Sequence, residues 1–289
     1  MPILQQNELR KGRSLWLYRG IIVFLVVLIP IQLLPHLWMF FGMFKGPTEV
    51  IKLPPSLLPE KFLFENISTT FKKLNVWRNV WNTVILCGGT ILVQIPISSL
   101  GAFALSKLRL RGSNILLLFF IGTMMISQQA TIIPLYLMMF DFPLTHWNLI
   151  NSFWSLILAF SAWGWAVFLF KNFFDSLPSS LFDAAKIDGA NNLMIFIRIV
   201  VPLSGPVFSI AILNTFNAVY NQFMVPLMML PAQDKWPLMV QIYAVQHAGA
   251  TPWNQVMVLL AITTIPLLVI YILCQRYIVE GIVMTGIKG

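Results

Sequence analysis

Charge is what this sequence has least of. Only 10% of its 289 residues are Asp, Glu, Lys or Arg, and 58% are hydrophobic, whereas a water-soluble domain carries about 25% charged residues. That balance excludes an ordinary soluble globular protein. No charged residue falls inside any of the long apolar runs, which argues against an intramembrane proton relay, a voltage sensor or an acid-dependent secondary transporter. There is no Gly-x-x-x-x-Gly-Lys-Ser/Thr phosphate loop, so the chain does not bind ATP in that manner. The two cysteines, Cys87 and Cys274, lie in apolar segments without metal-ligand spacing and read as small buried hydrophobes. His36, His146 and His247 stand alone near the ends of apolar runs and read as interfacial hydrogen-bonders. No catalytic His, Ser or Asp constellation sits inside the runs, and no metal site is expected.

What is present in abundance is long apolar sequence. A helix needs about 20 such residues to cross the hydrocarbon, and six segments qualify: 20–44, 79–106, 115–140, 147–170, 202–230 and 253–275. The expectation is an all-α transmembrane bundle of six helices, spread over one membrane domain at 20–278. A cytoplasmic segment at 1–19 precedes it and a cytoplasmic tail at 279–289 follows. The first run is too long for a signal-peptide core and no small-residue cleavage pattern follows it, so it reads as a retained span.

The net charge of +9 reflects topology rather than nucleic-acid binding. With both termini in the cytoplasm, the inner side collects Arg10, Lys11, Arg13, Arg19, Lys107, Arg109, Arg111, Lys171, Lys186, Arg198, Arg276 and Lys288, as the positive-inside rule requires. The first outer loop, Lys45–Arg78, is the exception, with six basic residues against three glutamates. Its Pro-rich start and amphipathic continuation to Trp77 fit a segment lying along the outer membrane face or an ordered loop packed on the bundle.

The polar stretch SSLFDAAKIDGANNLMIFIRIVVPL, residues 179–203, interrupts this pattern on the cytoplasmic side. Ser180 and Asp183 have capping-box spacing, predicting a short helix Leu181–Asp188, and Gly189 suits the left-handed position that ends it. A second helix, Asn191–Val201, should end or kink at Pro202. The first helix is too short to be stable alone. Ala184 and Ala185 remove bulk, either for a partner's surface or for packing on the protein's own helices.

The same stretch resembles the EAA loop of the membrane subunits of ABC importers: Asp183-Ala184-Ala185, Gly189, Ile199 and Val201-Pro202 stand at the spacing of that motif, with Asp for Glu and Val for Leu. LPPSLLPEKFLFEN, NVWNTVIL, GAFALSKLRLRG, IIPLYLMM and QRYIVEGIVMTGIKG extend the resemblance to the maltose-permease-like, carbohydrate-importing group. The resemblance implies a type I importer permease, non-catalytic, in the bacterial inner membrane, whose loop 175–201 carries a coupling helix between spans four and five. Leu181, Phe182, Asp183, Ala184, Ala185, Asp188 and Gly189 would engage the ATPase. It also implies partners: a second permease, with a heterodimer favoured, two ATPase subunits that bind ATP and Mg, an extracytoplasmic solute-binding protein, a sugar substrate and membrane lipid. The chain itself carries no cofactor and contacts no nucleic acid. In similar permeases the tail, here Ile282–Gly289, reaches the ATPase pair.

For the cargo, Asn214, Asn217 and Asn221 recur on one helical face with Tyr220 and Gln222 beside them. This amide face suits either a sugar passage or hydrogen bonding between helices. Gln94 and Ser98, with Ser127, Gln128, Gln129 and Thr131, are further candidates to line the same passage. Similar permeases carry Trp-Asn-Asp-Phe where this chain has Tyr220-Asn221-Gln222-Phe223. An acidic oligosaccharide such as alginate is a variant suggested by amides in place of acids and by the basic outer loop. The alternatives are an importer for amino acids or peptides, or a secondary transporter.

Overall fold

The computed structural model describes residues 12–108, 110–143, 145–249 and 251–286, with side chains over 15–276 of these. Arg10, Lys11, Arg109 and Lys288, four of the basic residues used to orient the chain, lie outside the described residues, as do the end of the tail and most of the segment 1–19. Every described element is a helix. Long apolar sequence forces that outcome, because in hydrocarbon each backbone N–H and C=O must find its partner within the segment.

Three helices are long and apolar enough to cross a membrane: Leu15–Gly42, Val76–Lys107 and Trp253–Arg276. Three further helix pairs are long and apolar enough together, and bring the count to six where each bent pair is one span: Ser113–Met124 with Gln128–Phe140, Phe153–Ser161 with Gly164–Asp175, and Asn192–Leu203 with Gly205–Tyr220, bent by 104°, 43° and 81°. We number the helices α1 (Gly12–Gly42), α2 (Glu65–Lys73), α3 (Val76–Lys107), α4 (Ser113–Met124), α5 (Gln128–Phe140), α6 (Phe153–Ser161), α7 (Gly164–Asp175), α8 (Ser179–Ile187), α9 (Asn192–Leu203), α10 (Gly205–Tyr220), α11 (Met224–Met229), α12 (Leu238–His247) and α13 (Trp253–Gly286).

The bends depart from the uninterrupted spans expected at 115–140, 147–170 and 202–230, and two of them have a visible local cause. Between α4 and α5 no proline or glycine intervenes. Instead the Thr123 hydroxyl donates to the Phe120 carbonyl at 2.6 Å, and Ser127 takes an extended conformation ahead of α5, side-chain competition of the kind that bends helices. Between α9 and α10 the break falls at Ser204 rather than at the expected Pro202. Pro206, at the start of α10, has no N–H to give the Pro202 carbonyl four residues back, so the helix fails just before it. The fifth span then stops at Tyr220 and resumes as the short α11.

The chain divides into two compact units. The larger, Trp77–Tyr243 with Leu267–Gly281, holds two apolar cores. One joins Ile95 and Phe103 of α3, Phe170 and Phe174 of α7, Phe182 and Ala185 of α8, and Phe196, Val200 and Val207 of α9 and α10. The other joins Leu86 and Cys87, Leu156 and Phe160, Tyr220 and Leu230. In the smaller unit, which includes Ala244–Pro266, the loop that follows α1 is ordered against the end of that helix. The Asn66 amide donates to the Met43 and Lys45 carbonyls at 3.0 and 2.9 Å, Phe44 meets Phe62 at a tilt and Phe64 edge on while Phe62 and Phe64 stack, and the buried Lys45 ammonium donates to the Ser56 carbonyl and hydroxyl.

Candidate functional site

Two places in the larger unit gather the polar residues singled out in the sequence. The first is α8. It begins at Ser179 with Pro178 as the flanking N-cap residue and no side-chain cap, which corrects the expected helix Leu181–Asp188 capped by Ser180. Proline fixes the extended entry, so Ser179 and Ser180 already hold helical positions and neither hydroxyl is placed to cap. The other end behaves as its glycine requires. Gly189 sits at φ +79°, its N–H bonds the Lys186 carbonyl and the Ala190 N–H bonds the Ala185 carbonyl, at 3.0 and 2.9 Å, a complete Schellman closure. Asn191 then caps α9, its side chain accepting from the Met194 N–H at 2.8 Å.

This nine-residue helix is held by one face. Phe182 and Ala185, 6% and 8% exposed, enter the core three residues apart, whereas Leu181, Asp183, Ala184, Lys186, Ile187, Asp188 and Gly189 are exposed. The paired alanines therefore divide: Ala185 packs inward and Ala184 outward. By helical geometry Asp183, Ala184 and Ile187 share the side opposite the buried pair, and Ile187 is 87% exposed. A small, partly apolar prong with a rigid base is what the segment offers.

The second place is where the bent spans break. Gly164, opening α7, lies so close to α4 that an added Cβ would stand 2.5 Å from the Phe120 carbonyl oxygen and 2.7 Å from the Thr123 hydroxyl. Gln222, just past α10, donates its amide to the Gln128 side chain at the start of α5, at 2.9 Å. The break between α4 and α5 thus adjoins the start of α7 and the interruption between α10 and α11. Beside them lies a cleft of about 520 Å³ with Thr123, Gln128, Thr131, Trp163 and Trp165 among its lining. Asn214, Asn217 and Asn221 form one exposed face of α10 and its end, and the Asn221 amide donates to the Asn217 side chain at 2.5 Å.

Tyr220, expected beside these amides, is instead 2% exposed and stacks on Phe216 at 5.3 Å between ring centres. It is a core residue, because position 220 lies about a quarter turn round the helix from the mean direction of 214, 217 and 221 and so turns into the core beside Phe216. Gln94 is also fully buried, accepting from the Thr215 hydroxyl at 2.8 Å with its own NH₂ unpartnered. The roles of Gly164, Trp163 and Trp165 were not read from the sequence, although a glycine between two tryptophans in an apolar run is a visible sign of close backbone approach. Among the described residues no three His, Cys, Asp or Glu side chains are placed to hold a metal ion.

Comparison with known proteins gives these features a context. The family described as "Binding-protein-dependent transport system inner membrane component" matches residues 94–283. The polygalacturonan/rhamnogalacturonan transport system permease protein YtcP of Bacillus subtilis is 30% identical, the match covering 92% of this chain and 96% of that one. The trehalose/maltose transport system permease protein MalG of Thermococcus litoralis is also 30% identical, over 93% of this chain and 96% of that one. Among solved structures, a chain from a bacterial ABC transporter involved in the import of the acidic polysaccharide alginate shares the fold. Its TM-score is 0.79 at 24% identity, covering 96% of this chain and 99% of that one.

Proposed function

We infer the working of this chain from one premise: it belongs to the family of binding-protein-dependent transport system inner membrane components, and so is a non-catalytic, multi-pass membrane subunit of an ABC importer that works with a solute-binding protein. On our reading its cargo is a sugar or oligosaccharide, as the named cargoes of YtcP and MalG suggest, with acidic oligosaccharides as the variant to test first. It pairs with a second permease, preferentially a different one, and two ATPase subunits supply the energy from the cytoplasm, where both termini lie.

The prong α8 is the coupling helix. Phe182 and Ala185 anchor it, while Leu181, Asp183, Ala184, Ile187 and Asp188 form the face that seats in an ATPase groove, and Gly189 sets the angle at which the chain leaves. The observation that carries this reading is the one-sided burial of α8: a helix of two and a half turns is unstable by itself, yet this one leaves its Asp183–Ala184–Ile187 face uncovered. Closure of the ATPases must act differently on the two conformations of the membrane domain, since equal interaction shifts nothing. A full reversal from 1:99 to 99:1 takes about 5.5 kcal/mol.

The solute passes beside the adjoining breaks, along Asn214, Asn217, Asn221 and Gln222. Irregular backbone at membrane depth is tolerated only where it is buried in protein or lines an aqueous cavity, which supports this placement. Tyr220 acts as packing.

Replacing Ala184 by Arg tests the coupling face without touching the core. In the purified importer, Ala184→Arg should abolish the hydrolysis stimulated by binding protein loaded with a galacturonate, alginate or malto-oligosaccharide, whichever drives the parent complex, while the chain still inserts. Undiminished stimulation would refute the assignment.

A further inference from the structure

Force applied to α8 has to leave it by some route. The covalent routes are two turns, at Pro178 and at Gly189, and turns yield. Besides the apolar core that Phe182 and Ala185 share with α3, α7, α9 and α10, polar contacts run to the end of α3, whose residues lie some 70 positions earlier in the chain. Ser106 donates its hydroxyl to Asp175 Oδ1 at 2.6 Å, and Asp175, the last residue of α7, holds the Lys171 ammonium through Oδ2 at 2.6 Å. Next to Ser106, Lys107 donates to the Leu177 carbonyl at 3.0 Å, in the corner between α7 and α8. The same ammonium stands 4.7 Å from the centre of the Phe182 ring, one of the two anchors of α8. Two consecutive residues of α3 therefore grip the end of α7, the corner and α8 itself.

The chemistry of the grip is specific. Lys107 has a carbonyl and the face of an aromatic ring as partners, with the Asp175 carboxylate near enough to act on its charge, and a cation over a partly desolvated ring is drawn to the negative face of the ring. Leucine in place of Phe182 would keep the apolar contact and lose the ring face. Arginine in place of Lys107 would keep the charge, the donor and the stacking capacity.

We propose that Ser106 and Lys107 are positioning residues that carry the movement of α8 into the second span, so that α3 rather than the covalent neighbours alone transmits the stroke. The proposal rests on the coupling reading of α8 given above. It predicts that α8 and α3 respond together to nucleotide, and that they separate when Lys107 is removed.

The test uses the assembled importer in lipid vesicles, with a fluorophore at Leu92→Cys on α3 or at Lys186→Cys on α8, both exposed positions and the second outside the face assigned to the ATPase. ATP with vanadate is the probe, so no solute is needed. In the parent both labels should respond. With Lys107→Met the α8 label should still respond while the α3 signal falls about tenfold, the factor that about 1.4 kcal/mol represents, and Lys107→Arg should restore it. An unchanged α3 signal in Lys107→Met overturns the proposal and leaves the coupling reading intact. A silent α8 label in the parent would instead remove the coupling reading, and this proposal with it. Should Lys107→Met fail to assemble, Phe182→Leu decides: a reduced α3 response supports the grip, and a parental response contradicts it.

Discussion

At the scale of single residues, two glycines separate what a local pattern can say from what it cannot. Gly189 follows a short polar helix and adopts φ +79° with no atom within 4 Å of where a Cβ would stand. Only the backbone conformation resists substitution there, so Gly189→Ala should lower stability by about 1–2 kcal/mol. Gly164 has ordinary dihedrals but a carbonyl oxygen 2.5 Å from a virtual Cβ, and backbone cannot swing away as a side chain can. Gly164→Ala should therefore force α4 and α7 apart, with a cost of about 1–3 kcal/mol. Thermal unfolding of the purified importer checks both, and a Gly164→Ala protein melting with the parent would contradict the close approach. Gly189 was legible because its cause lies within three residues of it. Gly164 was not, because its cause is Phe120, on another helix. Tyr220 escaped for the same reason: its sequence neighbours are amides, and its spatial neighbours, among them Phe216, Leu86 and Leu156, are core.

At the scale of elements, apolar length located the membrane-crossing segments but not their interruptions. The break at Ser127 carries no proline or glycine, and the only local trace is the polar trio Ser127, Gln128 and Gln129 within an apolar run. That trace was read as a possible lining of the passage, whereas its first effect is to end one helix and start another. The start of α8 misled in the opposite direction. Ser180 and Asp183 have the spacing of a capping box, yet Pro178 sets the entry two residues earlier. The Gln128–Gln222 bond gives the meeting of these breaks a measurable energy. Both side chains are half-buried, so removing one amide leaves the other partly hydrated, at about 0.5–1.5 kcal/mol, while removing both with apolar groups of similar shape is close to neutral. Gln128→Leu and Gln222→Leu should each destabilise the importer, and the double replacement should recover most of the loss. Additive losses would mean the two amides do not depend on each other.

At the scale of the whole molecule, the sequence conveyed class and family more fully than mechanism. Scarce charge and apolar runs of membrane-crossing length require a bilayer protein, and the ordered motifs led to the family that residues 94–283 match. What composition does not contain is which side of a short helix is held and which is free, since Ala184 and Ala185 are identical in sequence terms and opposite in burial. The account's central claim is that the free side of α8 meets a separate ATPase. The protein is well suited to a direct test, because its own thiols, Cys87 and Cys274, are both buried. With a single reactive cysteine at Ile187→Cys, a maleimide–diazirine reagent attached in stripped inside-out vesicles should, once the ATPase is added back and the sample illuminated, join this chain to the ATPase subunit, and the ATPase should shield an unlabelled thiol from a membrane-impermeant maleimide until it is stripped away. Rapid labelling at Ile187→Cys in the intact complex, with no joined product in any nucleotide state, would contradict the account.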